Sequence, residues 1–367
     1  MAPQAGFRCE TGEVTRASDL GYRSADENVG GDSTRTVIIA FGANLGVAIA
    51  KSVAAVLTGS ASMVAEAAHS WADTGNQVFL LIANRRSARV ADADRPLGYG
   101  REAYVWSLLA AVGLFVAGGS VSVWHGVSEL LHAPTAGADY LVAYLVLAVA
   151  FVLEGTSLLR AIRQLRGEAE DSDRDVLDYA LETSDPMLRA VFAEDSAAIL
   201  GIVIAAAGVG LHQLTGTAAW DALGSILVGV LLGAVAVLLI DRNRRFLTGV
   251  PASGALREAV IARIEEFPEV ATVRFVRLEY AGPRQLFLVA SVDLVGDAAE
   301  SRVARTLRKL EGELEKNPHV VDAVLTVADP DEEDLSGLVD ARERRSGEEP
   351  GNAAERSRAT PTDSVDP

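Results

Sequence analysis

His69 and Asp73 stand one helical turn apart in an apolar stretch, and an imidazole nitrogen with a carboxylate oxygen at that spacing can hold one divalent cation. Glu66, Asn76 and Gln77 extend the pattern: at about 100° per residue all five side chains fall on one helical face. The plain alternative is a polar stripe packed between helices and satisfied by hydrogen bonds. An ionisable group kept within a membrane span costs at least about 2.5–3.5 kcal/mol on insertion scales, which weighs toward a functional role for His69 and Asp73. Glu66 and Asn76 stay open between ligand and packing. One helix supplies too few donors for a tetrahedral ion, so a second contributor is required. Glu194 and Asp195 interrupt another apolar run, and as neighbours they point about 100° apart, so one of them faces the site. Unpaired, such acids bind protons, which is itself a route to coupling.

Other ionisable groups read as structural. Lys51 and Glu154 lie at different depths of their blocks, which argues against an ion pair between them and for snorkelling or a local hydrogen bond at each. His125, His132 and His212 fall at outer ends of apolar blocks, where interfacial histidines are the default; His319 follows Pro318 as a turn residue. Asp221 reads as the N-cap of the last block.

The elements that must position these groups follow from composition. Hydrophobic residues make up 49% of 367, yet the net charge is −17, so apolar and charged residues must be segregated. The apolar ones gather into six blocks near residues 37–57, 61–83, 104–131, 141–159, 187–211 and 222–240, each about the length that crosses a hydrocarbon core. A polar arm of some thirty residues precedes the first block, which is therefore expected to be a retained span rather than a signal peptide. Arg85, Arg86, Arg89, Arg95 and Arg101 fill one long connection, Arg160, Arg163, Arg166 and Arg174 another, and Arg242, Arg244 and Arg245 follow the last block. The three remaining connections hold no Lys or Arg, which by the positive-inside rule places both termini in the cytoplasm.

Beyond Pro251 the periodicity predicts helix, strand, strand, helix, strand, a small cytoplasmic α+β domain of about eighty residues. The expected organisation is a disordered arm over 1–34, a six-helix transmembrane domain over 35–245, the α+β (ferredoxin-like) domain over 246–330, and a disordered acidic tail over 331–367. Fifty acidic against thirty-three basic residues leave no field for nucleic acid, and a lone cysteine, Cys9, excludes disulfide frameworks, Cys-rich zinc modules and iron–sulfur clusters.

Six spans, the stretch from Ser62 to Gln77 (SMVAEAAHSWADTGNQ), the loop from Arg95 to Glu102 (RPLGYGRE) and the run from Asp221 to Ser225 (DALGS) resemble the cation diffusion facilitator family of metal/proton antiporters. The resemblance covers residues 35–329. It implies a transport site pairing His69 and Asp73 with Asp195, which matches the family's final acid on the fifth span. Val191 stands where the family usually has His or Asp, and Glu194, or a water, could fill that position. The implied cargo is Zn²⁺, with Mn²⁺, Fe²⁺ and Co²⁺ left open by the shift from nitrogen to oxygen donors. The resemblance further implies a homodimer, and a soluble domain that with only His319 regulates weakly or merely dimerises.

The expected activity is efflux of a divalent cation in exchange for protons, with no resident cofactor, across the bilayer of a cell membrane. Only three lysines among thirty-three basic residues suit a GC-rich bacterial genome. Two other classes stand beside it. A metal-binding membrane receptor would bind without flux. An intramembrane metalloenzyme is opposed by the absence of a His-Glu-x-x-His motif and of a nucleophile with a base.

Overall fold

The computed structural model describes residues 32–131, 140–170 and 175–329. The expected disordered arm and tail, Cys9, His132 and Arg174 lie outside the described residues, apart from the last three arm positions, which already belong to a helix. The chain divides into two compact units, residues 1–82 with 106–243, and residues 83–105 with 244–367.

The first unit is helical. Its elements are α1 (Asp32–Thr58), α2 (Ala61–Ser87), α3 (Glu102–Gly113), α4 (Val121–Leu131), α5 (Tyr140–Glu170), the short α6 (Val176–Glu182), α7 (Pro186–Thr215) and α8 (Ala219–Thr248), with α2, α3 and α8 running past the unit's borders. A π-helical stretch, Leu114–Ser120, joins α3 to α4 into one span, Glu102–Leu131. Among the described residues five helices are long and apolar enough to cross a membrane: Phe41–Thr58 of α1, the α3–α4 span, α5, α7 and α8. The remaining block is α2, equally long at 27 residues but diluted by the polar stripe that begins at Glu66. A helix carrying such a stripe must turn it toward protein.

Packing shows where it turns. Ala54 of α1, Met63 of α2, Ala143, Leu147 and Ala150 of α5, and Ile202, Ala205 and Val209 of α7 form one core. Ala65 and Ala72 of α2 enter a second core with Leu114, Ala197 of α7, and Val228 and Leu232 of α8. α2 therefore lies between α1, α5 and α7 on one side and the π stretch and α8 on another, and its alanines let neighbouring backbones approach closely. Large apolar side chains such as Leu145, Val149 and Val152 of α5 face outward, as lipid contact requires.

Helix ends are closed by specific groups. Asp185 accepts from the Met187 and Leu188 N–H groups at 3.0 and 3.2 Å, and Pro186 takes the first helical position of α7. Asp221 does not cap its own helix as expected, because α8 already begins at Ala219. Its carboxylate instead accepts from the Ala61 and Ser62 N–H groups at 2.8 and 3.2 Å and from Ser60 Oγ at 2.9 Å, closing the N-terminus of α2. Arg189, fully buried, donates to the Thr183 carbonyl at 2.8 Å and to Asn243 Oδ1 at 2.7 Å, and Asn243 donates to Ser107 Oγ at 3.1 Å, tying α7, α8 and α3.

The second unit contains a three-stranded sheet, β1 (Val270–Gly282), β2 (Gln285–Leu294) and β3 (Val320–Val327), in order 1-2-3. β1 pairs antiparallel with β2 through a tight turn; β2 pairs parallel with β3, which requires the crossover through α10 (Glu300–Leu314). α9 (Gly254–Glu265) precedes the sheet, and Ile264, Val276, Leu288, Leu310, Leu314 and Leu325 fill the core beneath the two helices. The helix-strand-strand-helix-strand order is the one the periodicity predicts. Residues 83–105 belong to this unit: the Tyr99 ring lies under the Arg89 and Arg95 guanidinium groups, and Gly100 sits against Ala281 and Gly282 at the β1–β2 turn.

Candidate metal centre

α2 delivers its polar residues into the bundle because its small residues pack on both flanks and leave one face for Glu66, His69, Asp73 and Asn76. His69 is 1% exposed, and its Nε2 stands 3.3 Å from Asp73 Oδ2. Neither ring nitrogen makes a hydrogen bond, and Asp73 Oδ1 is likewise buried without one. An imidazole and a carboxylate held one turn apart, with these atoms uncommitted to other hydrogen bonds, have the donor chemistry for half of a cation seat.

α7 places its two acids differently. Glu194 turns to α2, where the Asn76 amide donates to both of its carboxylate oxygens. Asp195 turns to α5 and has the Ser157 hydroxyl as its hydrogen-bond partner, with Arg160 of α5 within electrostatic reach. The divergence of the adjacent acids follows from the 100° step. The structure thus joins His69 to Asp73 and Asn76 to Glu194. Among the described residues no three His, Cys, Asp or Glu side chains converge closely enough to hold one metal ion in this conformation. Val191 is half-buried and offers no donor.

Two features overturn the expectations for the remaining charges. Lys51 does not snorkel; of the two expectations the hydrogen bond holds, but as a fully buried ion pair, its ammonium donating to Glu66 Oε2 at 2.8 Å. The signal was present in the spacing. Lys51 lies eight residues before Gly59 and Glu66 seven after it, so in an antiparallel helix pair turning at Gly59 they fall level. Asp221 caps α2 rather than α8, and a cap supplied from 160 residues away leaves no local pattern in the sequence. His319 is the turn residue expected, its N–H donating to Asn317 Oδ1 at 3.0 Å.

The family model of the cation efflux transmembrane domain matches residues 37–248, more than half of the chain. The chain belongs to the cation efflux family. It is 37% identical over 246 residues to the "proton-coupled zinc antiporter SLC30A9, mitochondrial" of Homo sapiens, covering 67% of this chain and 43% of that protein. It is 35% identical over 249 residues to metal tolerance protein C4 of Arabidopsis thaliana (67% of this chain, 54% of that one) and 26% identical over 254 residues to zinc transporter ZitB of Escherichia coli K12 (69% and 75%). The chain spans less than half the length of the human relative. The matched segment of this cation efflux protein takes in α1 from residue 37, the other long helices described through α8, and every group of the α2–α7 cluster.

Proposed function

We propose that the chain is a secondary transporter that exports a divalent metal cation, Zn²⁺ foremost, in exchange for protons, and that it is not an enzyme. The observation that carries the reading is the His69–Asp73 pair on α2, its ring nitrogens and Asp73 Oδ1 without hydrogen bonds, in a bundle whose α7 brings Glu194 and Asp195. Zinc is supported by the names of the human and bacterial relatives. His69, Asp73 and Asp195 are the proposed ligands; Glu194, whose oxygens Asn76 holds in this conformation, ranks below them as the candidate for the place that Val191 leaves without a donor.

Moving a dication outward against about 100 mV costs about 4.6 kcal/mol, twice the roughly 2.3 kcal/mol per charge, so something must enter in exchange. Ligand chemistry supplies it. Metal requires a neutral imidazole and ionised carboxylates, so binding releases protons, and the same groups reload with protons once the metal has left. The bundle then rocks between inward- and outward-facing states with either guest aboard.

The reading includes a homodimer and cytoplasmic termini, supported by the arginine-rich connections, in a cell membrane; the name of the human relative places that protein in mitochondria. Competitive Zn²⁺, Mn²⁺, Fe²⁺ and Co²⁺ uptake into proteoliposomes by wild type and Asp73→Ala, with internal pH recorded, tests it. Uptake of zinc with counter-flow of protons, lost in Asp73→Ala, is the expected result. Flux indifferent to a pH gradient overturns the exchange, and binding without flux identifies a receptor.

A further inference from the structure

We propose that Lys51 is a tethered cation built into the metal seat: its ammonium occupies the Glu66 carboxylate and so sets the net charge against which a dication binds at His69 and Asp73. The inference rests on the reading above for where metal binds.

Three observations carry it. The pair is fully buried on both sides at 2.8 Å, joining α1 to α2. A buried ion pair is weak evidence for stability, since well-packed apolar substitutes are often neutral or better, so its presence here calls for another role. Next, the second oxygen of Glu66, Oε1, is buried without a hydrogen bond and faces Gly201 of α7, where a Cβ would stand 2.7 Å away. A side chain at that position would press on the carboxylate, so α7 is shaped to leave it room. Lastly, Glu66 lies one turn before His69 on the same face, and the ammonium is within electrostatic reach of His69, Asp73 and, on α5, Glu154.

Of the two Glu66 oxygens, Oε2 is engaged by the ammonium and Oε1 is turned toward Gly201 of α7, so Glu66 serves to hold Lys51 rather than a dication. The pair is neutral as a whole. Removing the ammonium alone adds an uncompensated negative charge beside the metal; removing the carboxylate alone adds a positive one; removing both changes the net charge by nothing. The single substitutions therefore act in opposite directions on metal affinity, which a packing role does not produce.

Full-length wild type, Lys51→Met, Glu66→Gln and the double variant are titrated with Zn²⁺ by calorimetry in detergent, with zinc flux measured in parallel in proteoliposomes. Lys51→Met is expected to bind zinc about tenfold more tightly and release it more slowly, Glu66→Gln to bind about tenfold more weakly, and the double variant to return within about threefold of wild type. Lys51→Arg, which keeps the charge, binds like wild type. Single variants that lower flux without opposite shifts in Kd overturn the proposal. Should a single variant fail to accumulate, the double variant decides, because it leaves no unpaired charge: affinity more than tenfold below wild type overturns the proposal. Opposite Kd shifts in the two single variants beside a wild type that moves no zinc overturn the transport reading alone; flux by wild type without those shifts overturns this inference alone; no zinc binding by wild type overturns both.

Discussion

The carboxylate of Asp221 on α8 holds Ser60 and the first N–H groups of α2, so the helix that carries His69 and Asp73 is fixed at its N-terminal end by a residue 160 positions later in the chain. The same junction is closed again by Ser62 Oγ, which donates to the Asp221 carbonyl at 2.8 Å. Charged acceptors for helix N–H groups stabilise more than neutral ones, and here the group is fully buried.

Asp221→Ala leaves three donors without their partner and is expected to destabilise the protein by about 1–3 kcal/mol. Asp221→Asn, which keeps one acceptor oxygen, should cost less. Thermal unfolding of the detergent-solubilised protein reads both, and equal midpoints for wild type and Asp221→Ala would show that the cap is not a source of stability.

The divergence of Glu194 and Asp195 gives a test of which acid serves the seat. With Asn76 holding both oxygens of Glu194, Glu194→Gln should lower zinc flux by less than about tenfold, whereas His69→Ala, Asp73→Asn and Asp195→Asn should each lower it by more than about a hundredfold. The reverse order for the two α7 acids, measured by radiozinc uptake, would move Glu194 into the ligand set and Asp195 out of it.

Gly100 is expected to tolerate no side chain. A Cβ there would stand 2.7 Å from Gly282 Cα and 2.8 Å from the Ala281 carbonyl oxygen, both backbone atoms that cannot step aside. Gly100→Ala should cost about 1–3 kcal/mol by overpacking and release the 95–101 loop from the β1–β2 turn. Hydrogen exchange would show faster labelling in both segments; unchanged exchange would mean that the contact is not formed in solution.

A pH effect is expected in the same loop. The Tyr99 hydroxyl donates to Asp92 Oδ2 at 2.6 Å, and this hydrogen bond holds the Asp92 carboxyl below its ordinary value while holding the Tyr99 hydroxyl above its own. A depressed carboxyl contributes order above its unfolded pKa of about 3.9, and that contribution is lost as pH falls through the lower folded value. Tyr99→Phe should therefore loosen residues 92–99 at neutral pH, and the difference from wild type should vanish in acid. A difference in exchange rate that persists at low pH would assign the order to the arginine–ring contacts instead.

Much of this was legible in the sequence because hydrophobic blocks and the stripe from Glu66 to Gln77 are local patterns, and the order of elements after Pro251 follows from periods of two and 3.6. His69 and Asp73 announce themselves by spacing alone. What was not legible depends on partners brought from elsewhere: the Asp221 cap, the Asn76–Glu194 link and the Ser157 partner of Asp195 each join segments with no fixed spacing. The Lys51–Glu66 pair was readable in principle, since counting outward from Gly59 in both directions sets the two at equal height.

The wide turn between Gly113 and Val121 bears on how the third span keeps its aim. Leu114, Gly118, Ser122 and Gly126 are all buried, at intervals of four. On a regular helix such a series would creep about 40° around the axis at each step and leave the interior within three steps. A π turn, which closes one residue later, absorbs part of that creep, and Ser122 Oγ takes up the Gly118 carbonyl at 2.7 Å. An insertion or deletion there would thus re-phase the C-terminal half of the span and swing Gly126 away from α8 without altering a single residue beyond it.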